Sequence, residues 1–311
     1  MRRYWLILCA ICLAAAPAGP AVAKLRVVTT LSDLARIAEA VGGQDVEVEA
    51  LCPGGRDPHF LPAKPSLARR LARADLLCYN GLELEIGWLP QLIDKARNPR
   101  VRPGQPGDLD CSRALEHILE VPQGTVDRGQ GDVHPLGNPH YTVDPRNAVL
   151  VGRLMAGRLA ELDPVHAADY GARAESFAAE VARRLPAWRA RTEPVRRLPL
   201  IIYHRNWSYL VDWLGLNVVG EIEHRPGISP SPRHVEELIQ AARTRDATGV
   251  IAATWDHLDV AREVARRLDA PLAVLPGYSG ATDGTEDYFA FIDRLCAGLA
   301  GLVTGGQGVQ P

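Results

Sequence analysis

The chain has 311 residues, a formal net charge of −2 at pH 7 and six cysteines. A slightly acidic chain without a basic stripe is not expected to bind nucleic acid. Its length allows two domains of ordinary size, each with its own hydrophobic core.

The first 23 residues are typical of a secretory signal peptide. Two arginines precede a short apolar run, and the small residues at 21–23 fit a cleavage site after Ala23. The run is too short for a stable membrane-spanning helix. Neither Cys9 nor Cys12 follows the small residue that a lipid-anchor site requires. We therefore expect an exported, soluble protein.

Short β-branched runs alternate with amphipathic helical patterns along the rest of the chain. This alternation predicts parallel sheets covered by helices, and therefore an α/β protein. It occurs twice, which predicts two lobes with mainly parallel four-stranded sheets. The predicted strands lie at 25–31, 46–52, 75–81, 107–111, 199–204, 217–222, 249–255 and 271–276.

One long helical pattern lies between the two repeats. Asp163 is a suitable N-cap, Pro164 suits the first helical position, and no glycine interrupts the pattern after Gly171. We expect a rigid helix joining the lobes, which limits domain closure. The predicted organisation is a signal peptide (1–23), a first lobe (24–162), a linking helix (163–195) and a second lobe (196–311).

Four cysteines remain after the predicted cleavage. In an oxidising compartment they could pair in three ways. If the first sheet has the strand order 2-1-3-4, Cys78 and Cys111 lie on adjacent strands and Cys52 lies two strands away. The sequence then predicts a Cys78–Cys111 disulfide, with Cys296 buried and reduced in the second lobe.

Several histidines lie at or beyond predicted strand ends, where open α/β sheets bind ligands. His59 follows the second strand in "GGRDPHFLPAKP", with Asp57 placed to orient its imidazole. His204 closes the strand "LIIYH", with packing under neighbouring aromatic residues as the alternative role. His140 precedes a helix, with Asp144 as a candidate partner. Histidines converging from two lobes indicate a metal in the cleft, and imidazole favours zinc.

Other histidines compete for this role. His224 in "EIEHRPGISPSP" also follows a predicted strand. The segment 112–138 is long and has little periodicity, so we expect a mobile loop. It holds His117 and His134, which we interpret as solvated residues rather than ligands.

Four segments in this order resemble the periplasmic metal-binding receptors of zinc and manganese ABC importers. The resemblance runs from about residue 25 to the last helix. It is carried by "DPHFLPAKPS", "NPHYTVDP", "YHRNWSYLVDWLGL" and "PGISPSPRHVEELI". It implies capture of Zn²⁺ between two lobes and delivery to an inner-membrane ABC permease by a monomer. A periplasmic zinc chaperone is a further candidate partner.

The resemblance also implies a ligand set of His59, His140, His204 and one carboxylate. The family's fourth ligand is commonly an aspartate soon after the last strand, where this chain has Pro276 and Gly277. We therefore predict Asp283, in "GATDG", as the fourth ligand. Asp287 or a water molecule is the alternative.

Two other functions are alternatives to metal capture. A zinc-dependent hydrolase would use an open coordination position, but the chain has no His-Glu-x-x-His helix and no G-x-S-x-G elbow. A receptor for a metal chelate such as haem or a siderophore would not need three histidines at strand ends. We therefore expect a binding protein rather than an enzyme. Three nitrogens favour zinc over manganese, and Cu²⁺ should also bind tightly in vitro.

Overall fold

A computed structural model describes residues 23–124, 134–224 and 227–304. Residues 1–22 of the predicted signal peptide and residues 125–133 of the predicted mobile loop therefore lie outside the described residues. The cleavage site after Ala23 and the mobility of the loop stay predictions.

The first lobe contains a parallel four-stranded sheet with the strand order β2-β1-β3-β4. The first two strands are β-branched runs whose apolar residues face helices. The strands are β1 (Leu25–Thr29), β2 (Val46–Ala50), β3 (Leu76–Tyr79) and β4 (Asp108–Asp110). The helices of this lobe are α1 (Ser32–Gly42), α2 (Pro65–Leu71), α3 (Leu89–Ala96) and α4 (Pro145–Leu162).

The second lobe repeats this arrangement with the strand order β6-β5-β7-β8, again all parallel. The strands are β5 (Pro199–Ile202), β6 (Asn217–Glu221), β7 (Gly249–Ala253) and β8 (Leu272–Leu275). The helices are α6 (Ser208–Leu214), α7 (Pro232–Thr244), α8 (Leu258–Leu268) and α9 (Tyr288–Thr304). The predicted fold class of two parallel four-stranded sheets is confirmed. None of the described helices is long and apolar enough to cross a bilayer.

A long helix, α5 (Ala167–Thr192), lies between the two lobes in the chain. It begins after a 3₁₀ turn at Pro164–His166 and ends at another at Glu193–Val195. It contacts α1 and α4 of the first lobe and α9 of the second. One hydrophobic core runs through both lobes and α5, and two smaller cores lie on the outer faces of the sheets. The joining helix is therefore packed along its length.

The predicted Cys78–Cys111 disulfide is absent from the described structure, where the four cysteines are free thiols. The strand order is the one on which the prediction rested. However, Cys78 pairs in register with Leu109, and Cys111 lies beyond the end of β4. The two thiols are close enough to interact, and burial raises the pKa of Cys111. Cys296 is buried and reduced, as predicted.

Asp33, near the start of α1, makes a buried contact between the lobes. Its carboxylate accepts hydrogen bonds from the backbone nitrogen (2.6 Å) and hydroxyl (2.7 Å) of Ser279, beyond β8. It also accepts one from the hydroxyl of Thr142 at 2.7 Å. Burial raises the pKa of Asp33 to about 6, because these hydrogen bonds only partly offset the lost hydration of the charge.

Replacing Asp33 with asparagine should remove a pH-dependent loss of stability. Between about pH 4 and pH 6 the native state keeps a proton on Asp33 that the unfolded state has released. The free energy of unfolding of the parent therefore falls as the pH rises through this window. A difference of about two pKa units corresponds to ~3 kcal/mol. In urea unfolding, we expect the free energy of unfolding of Asp33→Asn minus that of the parent to increase by about this amount from pH 4 to pH 7.

Asp33→Ala is the matched comparison for this test. It removes the acceptor and leaves the buried N–H of Ser279 without a partner, so we expect a loss of about 1–3 kcal/mol at neutral pH. A stability difference between Asp33→Asn and the parent that does not change with pH would contradict the assigned pKa.

Candidate metal centre

His59 lies in the loop after β2, with one ring nitrogen engaged and the other facing the cleft. Asp57 caps the short turn Pro58–Phe60 and accepts from the backbone nitrogen (2.9 Å) and ring Nδ1 (2.6 Å) of His59. Burial alone would raise the pKa of Asp57, but its contacts with His59 lower it below the usual value. The carboxylate therefore stays charged, holds the proton on Nδ1 and leaves the Nε2 lone pair for a ligand. This is the role predicted for Asp57.

His140 is buried in the segment that joins the predicted loop to α4. Its backbone nitrogen donates to Oδ1 of Asn138 at 2.9 Å, and neighbouring Tyr141 donates to the carbonyl of Asn80 at 2.7 Å. Its Nδ1 lies 3.2 Å from the hydroxyl of Tyr278. Its Nε2 is buried and has no hydrogen-bond partner in the structure described. A buried nitrogen without a partner is costly, and a bound cation would satisfy it.

The electrostatic surroundings keep His140 neutral. Burial is the largest cause that lowers its pKa well below the usual value, and the nearby His59, His204 and His134 lower it further. A neutral imidazole has a lone pair at neutral pH, so the cation need not displace a proton from it.

His204 follows β5 and comes from the second lobe. Its ring centroid lies 5.7 Å from that of His140 and 6.1 Å from that of His59. Its Nδ1 is 3.3 Å from a carboxylate oxygen of Glu223, which follows β6, although the angle is not that of a hydrogen bond. The rings of three predicted ligands, two from the first lobe and one from the second, thus lie near one another, although His204 is not in the group whose ligand atoms lie within 4.8 Å of one another.

The structure adds His134, which the sequence analysis interpreted as a solvated loop residue. Its Nε2 lies 3.1 Å from Nε2 of His59, and ligand atoms of His59, His134 and His140 all lie within 4.8 Å of one another. The only sequence signal for this residue is its position six residues before His140, in a turn-forming run. His117, from the same predicted loop, is exposed.

Asp283 and Asp287 are exposed in the structure and do not belong to this group of ligand atoms. A side-chain oxygen of Asp287 accepts from the backbone nitrogen of Ala290 at the start of α9, as expected for a helix cap. The backbone carbonyl of Asp283 lies 3.4 Å from the guanidinium of Arg294. Asp283 as a ligand stays a prediction.

The residue that supports His140 is Tyr278 and not Asp144. Asp144 instead caps α4 and forms an ion pair with Arg146 at 2.7 Å. Tyr278 is fully buried after β8 and stacks on Trp255, with ring centroids 5.3 Å apart. It directly follows Pro276 and Gly277, the positions at which the resemblance implies an aspartate.

Ionisable side chains near the strand ends affect the net charge of the cleft. Burial, followed by the charges of Glu223 and Asp57, raises the pKa of Asp256 to about 8, and the backbone nitrogen of Ala253 donates to it at 2.6 Å. Asp256 is therefore largely protonated at neutral pH, whereas Asp57 is charged. His224 is exposed and its ring lies 4.1 Å from that of His234, a pair separate from the cluster at His59.

Comparison of the sequence with known protein families identifies the family to which this chain belongs. The model of the periplasmic zinc-uptake complex component A, ZnuA, matches residues 27–301. A metal ABC transporter substrate-binding lipoprotein of Streptococcus cristatus is 28% identical over 151 residues, 47% of this chain. That match covers 44% of the relative's length, so this chain is aligned with less than half of it.

A longer match is found with the manganese-binding lipoprotein MntA of Halalkalibacterium halodurans. It is 24% identical over 233 residues, which cover 74% of this chain and 71% of the relative. A crystal structure of ZnuA superposes with a TM-score of 0.75 at 22% identity, covering 90% of this chain and 99% of the other. At this identity the structural likeness shows the fold alone.

Asp57→Asn tests how the His59 imidazole is held. The amide lacks the charge that stabilises the Nδ1 proton, so Nε2 becomes a weaker donor to a metal. We expect zinc affinity, measured by competition with a chelator, to fall about 10–100-fold. Asp259→Asn, on the exposed surface of α8, is the control and should bind like the parent. Equal affinities for the two variants would show that Asp57 does not orient the ring.

Proposed function

Because the chain belongs to the ZnuA family of periplasmic metal-binding components of ABC importers, we propose that it captures Zn²⁺ and delivers it to an ABC-type permease in the inner membrane. The family consists of substrate-binding components, and the chain is not an enzyme. The metal ion is its cargo, held in the cleft by His59, His140 and His204.

One observation supports this proposal above the others. Nε2 of His140 is buried without a hydrogen-bond partner in the described structure, and it lies beside imidazoles of both lobes. A buried nitrogen of this kind costs about 1–3 kcal/mol unless something binds it. A divalent cation shared by the surrounding imidazoles would remove that cost.

Manganese is the second candidate cargo, because relatives such as MntA are described as manganese-binding. Manganese prefers carboxylate and water oxygens, whereas imidazole nitrogens suit zinc. The carboxylates nearest the histidines, Asp57 and Glu223, lie beside Nδ1 atoms rather than in the group of ligand nitrogens. These contacts support zinc as the cargo, with Asp283 or Asp287 retained as sequence candidates for a fourth ligand.

Alanine substitution of each central histidine tests the proposed cargo site. We expect His59→Ala, His140→Ala and His204→Ala each to weaken zinc binding at least about tenfold in chelator competition, because water must replace an imidazole. His166→Ala is the control, since this histidine pairs with Asp163 at 2.6 Å near the start of α5. Tighter binding of manganese than of zinc by the parent would contradict the choice of cargo. Unchanged zinc affinity in all three variants would contradict the site itself.

A further inference from the structure

His134 is held at ligand distance from His59. Two nitrogens bound to zinc at 2.0–2.1 Å in a tetrahedral shell lie about 3.4 Å apart. In the structure Nε2 of His134 and Nε2 of His59 form a hydrogen bond of 3.1 Å, which a shared cation would replace. A shift of a few tenths of an ångström would therefore allow both atoms to bind one ion. The ring centroids of His134 and His140 are 6.3 Å apart, on the other side of the cluster.

The backbone at His134 is fixed by a turn. The N–H of Gly137 donates to the carbonyl of His134 at 3.1 Å, closing a four-residue turn with Pro135 at its second position. Gly137 has φ of 106°, which an L-residue rarely adopts. The proline also restricts His134 itself to extended backbone conformations.

The end of this turn is anchored to both lobes. The N–H of Asn138 donates to the carbonyl of Leu119 at 2.8 Å, and the hydroxyl of Tyr209 in α6 donates to the carbonyl of Asn138 at 3.1 Å. The side-chain nitrogen Nδ2 of Asn138 donates to the carbonyl of Arg205 at 2.8 Å. His134 therefore begins a turn whose C-terminal end is hydrogen-bonded to both lobes.

The oxygen groups that could compete for the fourth position have other roles in the described structure. Asp57 is bound to His59, and Glu223 lies beside Nδ1 of His204. Tyr278 occupies the place after β8 and contacts His140. Asp283 and Asp287 are exposed.

We propose that His134 is the fourth ligand, so that the cargo ion is held by four imidazole nitrogens. This inference rests on the proposed metal-capture function and specifies its ligand set. A shell of four neutral nitrogens contains no carboxylate to compensate the charge of a hard cation. It selects zinc, and copper in vitro, against manganese.

The test compares five single variants in zinc competition against a chelator. His134→Ala should lose zinc affinity at least about tenfold, comparable with loss of another ligand. His117→Ala is the matched control, because it removes an exposed histidine of the same segment. Asp283→Ala and Asp287→Ala should bind zinc like the parent. His134→Gln repeats the test with a polar side chain, in case the alanine variant is unstable.

Two further measurements separate a ligand from a structural residue. The visible absorption of bound Co²⁺ depends on ligand type and coordination number, so it should change in His134→Ala and not in His117→Ala. His134→Asp supplies one oxygen donor and should raise the ratio of manganese to zinc affinity above that of the parent.

Each outcome has one consequence. Parent-like zinc affinity and Co²⁺ spectrum in His134→Ala and His134→Gln would overturn the assignment. A loss in Asp283→Ala or Asp287→Ala alone would place a carboxylate in the fourth position instead. Either result leaves the proposed function standing if His59→Ala and His140→Ala still lose zinc. If these two variants also bind normally, the capture site itself is wrong.

Discussion

The buried carboxylate of Asp33 connects the lobe that supplies His59 and His140 to the chain segment after β8. It accepts two hydrogen bonds from Ser279, and the preceding residue, Tyr278, contacts His140. Burying this charge is unfavourable, as its raised pKa indicates. The contact in turn fixes the position of Ser279, and therefore of the adjacent Tyr278, relative to the imidazole of His140. The geometry of the candidate metal centre therefore depends on an interaction that contains no metal ligand.

The walls of the cleft are held by contacts that involve no metal ligand. The main hydrophobic core runs through both lobes and α5, so the lobes do not depend on a flexible linker. The loop to His59 also passes close to the second lobe, since a Cβ on Gly54 would lie 2.1 Å from the carbonyl of Ser279. A site whose donors are already placed loses little conformational entropy when it binds.

Two carboxylates lie beside the imidazoles, but neither belongs to the group of candidate ligand atoms. Asp57 and Glu223 lie beside the Nδ1 atoms of His59 and His204, and the Tyr278 hydroxyl lies beside that of His140. A hydrogen-bonded carboxylate such as Asp57 sets the tautomer of its histidine and raises the basicity of the nitrogen that faces the ion. The negative charges also attract a cation to the cleft, while the contact atoms remain nitrogens suited to zinc.

Local patterns in the sequence determined the fold class, and placed His59 and His204 after strands and His140 before a helix, because strand and helix periods are properties of neighbouring residues. Parallel strands bring their carboxyl ends to one edge of a sheet, which is why histidines that follow strands were expected to converge. The strand order entered the sequence analysis only as a condition for the first sheet, and the structure supplies it for both sheets. Tertiary structure alone decided which groups meet across long stretches of chain. His134 lies 75 residues from His59 in sequence, and Asp33 lies 246 residues from Ser279. No local period encodes such a contact. Only the folded chain shows that His134 contacts His59, that Tyr278 contacts His140, and that Cys111 is offset from Cys78.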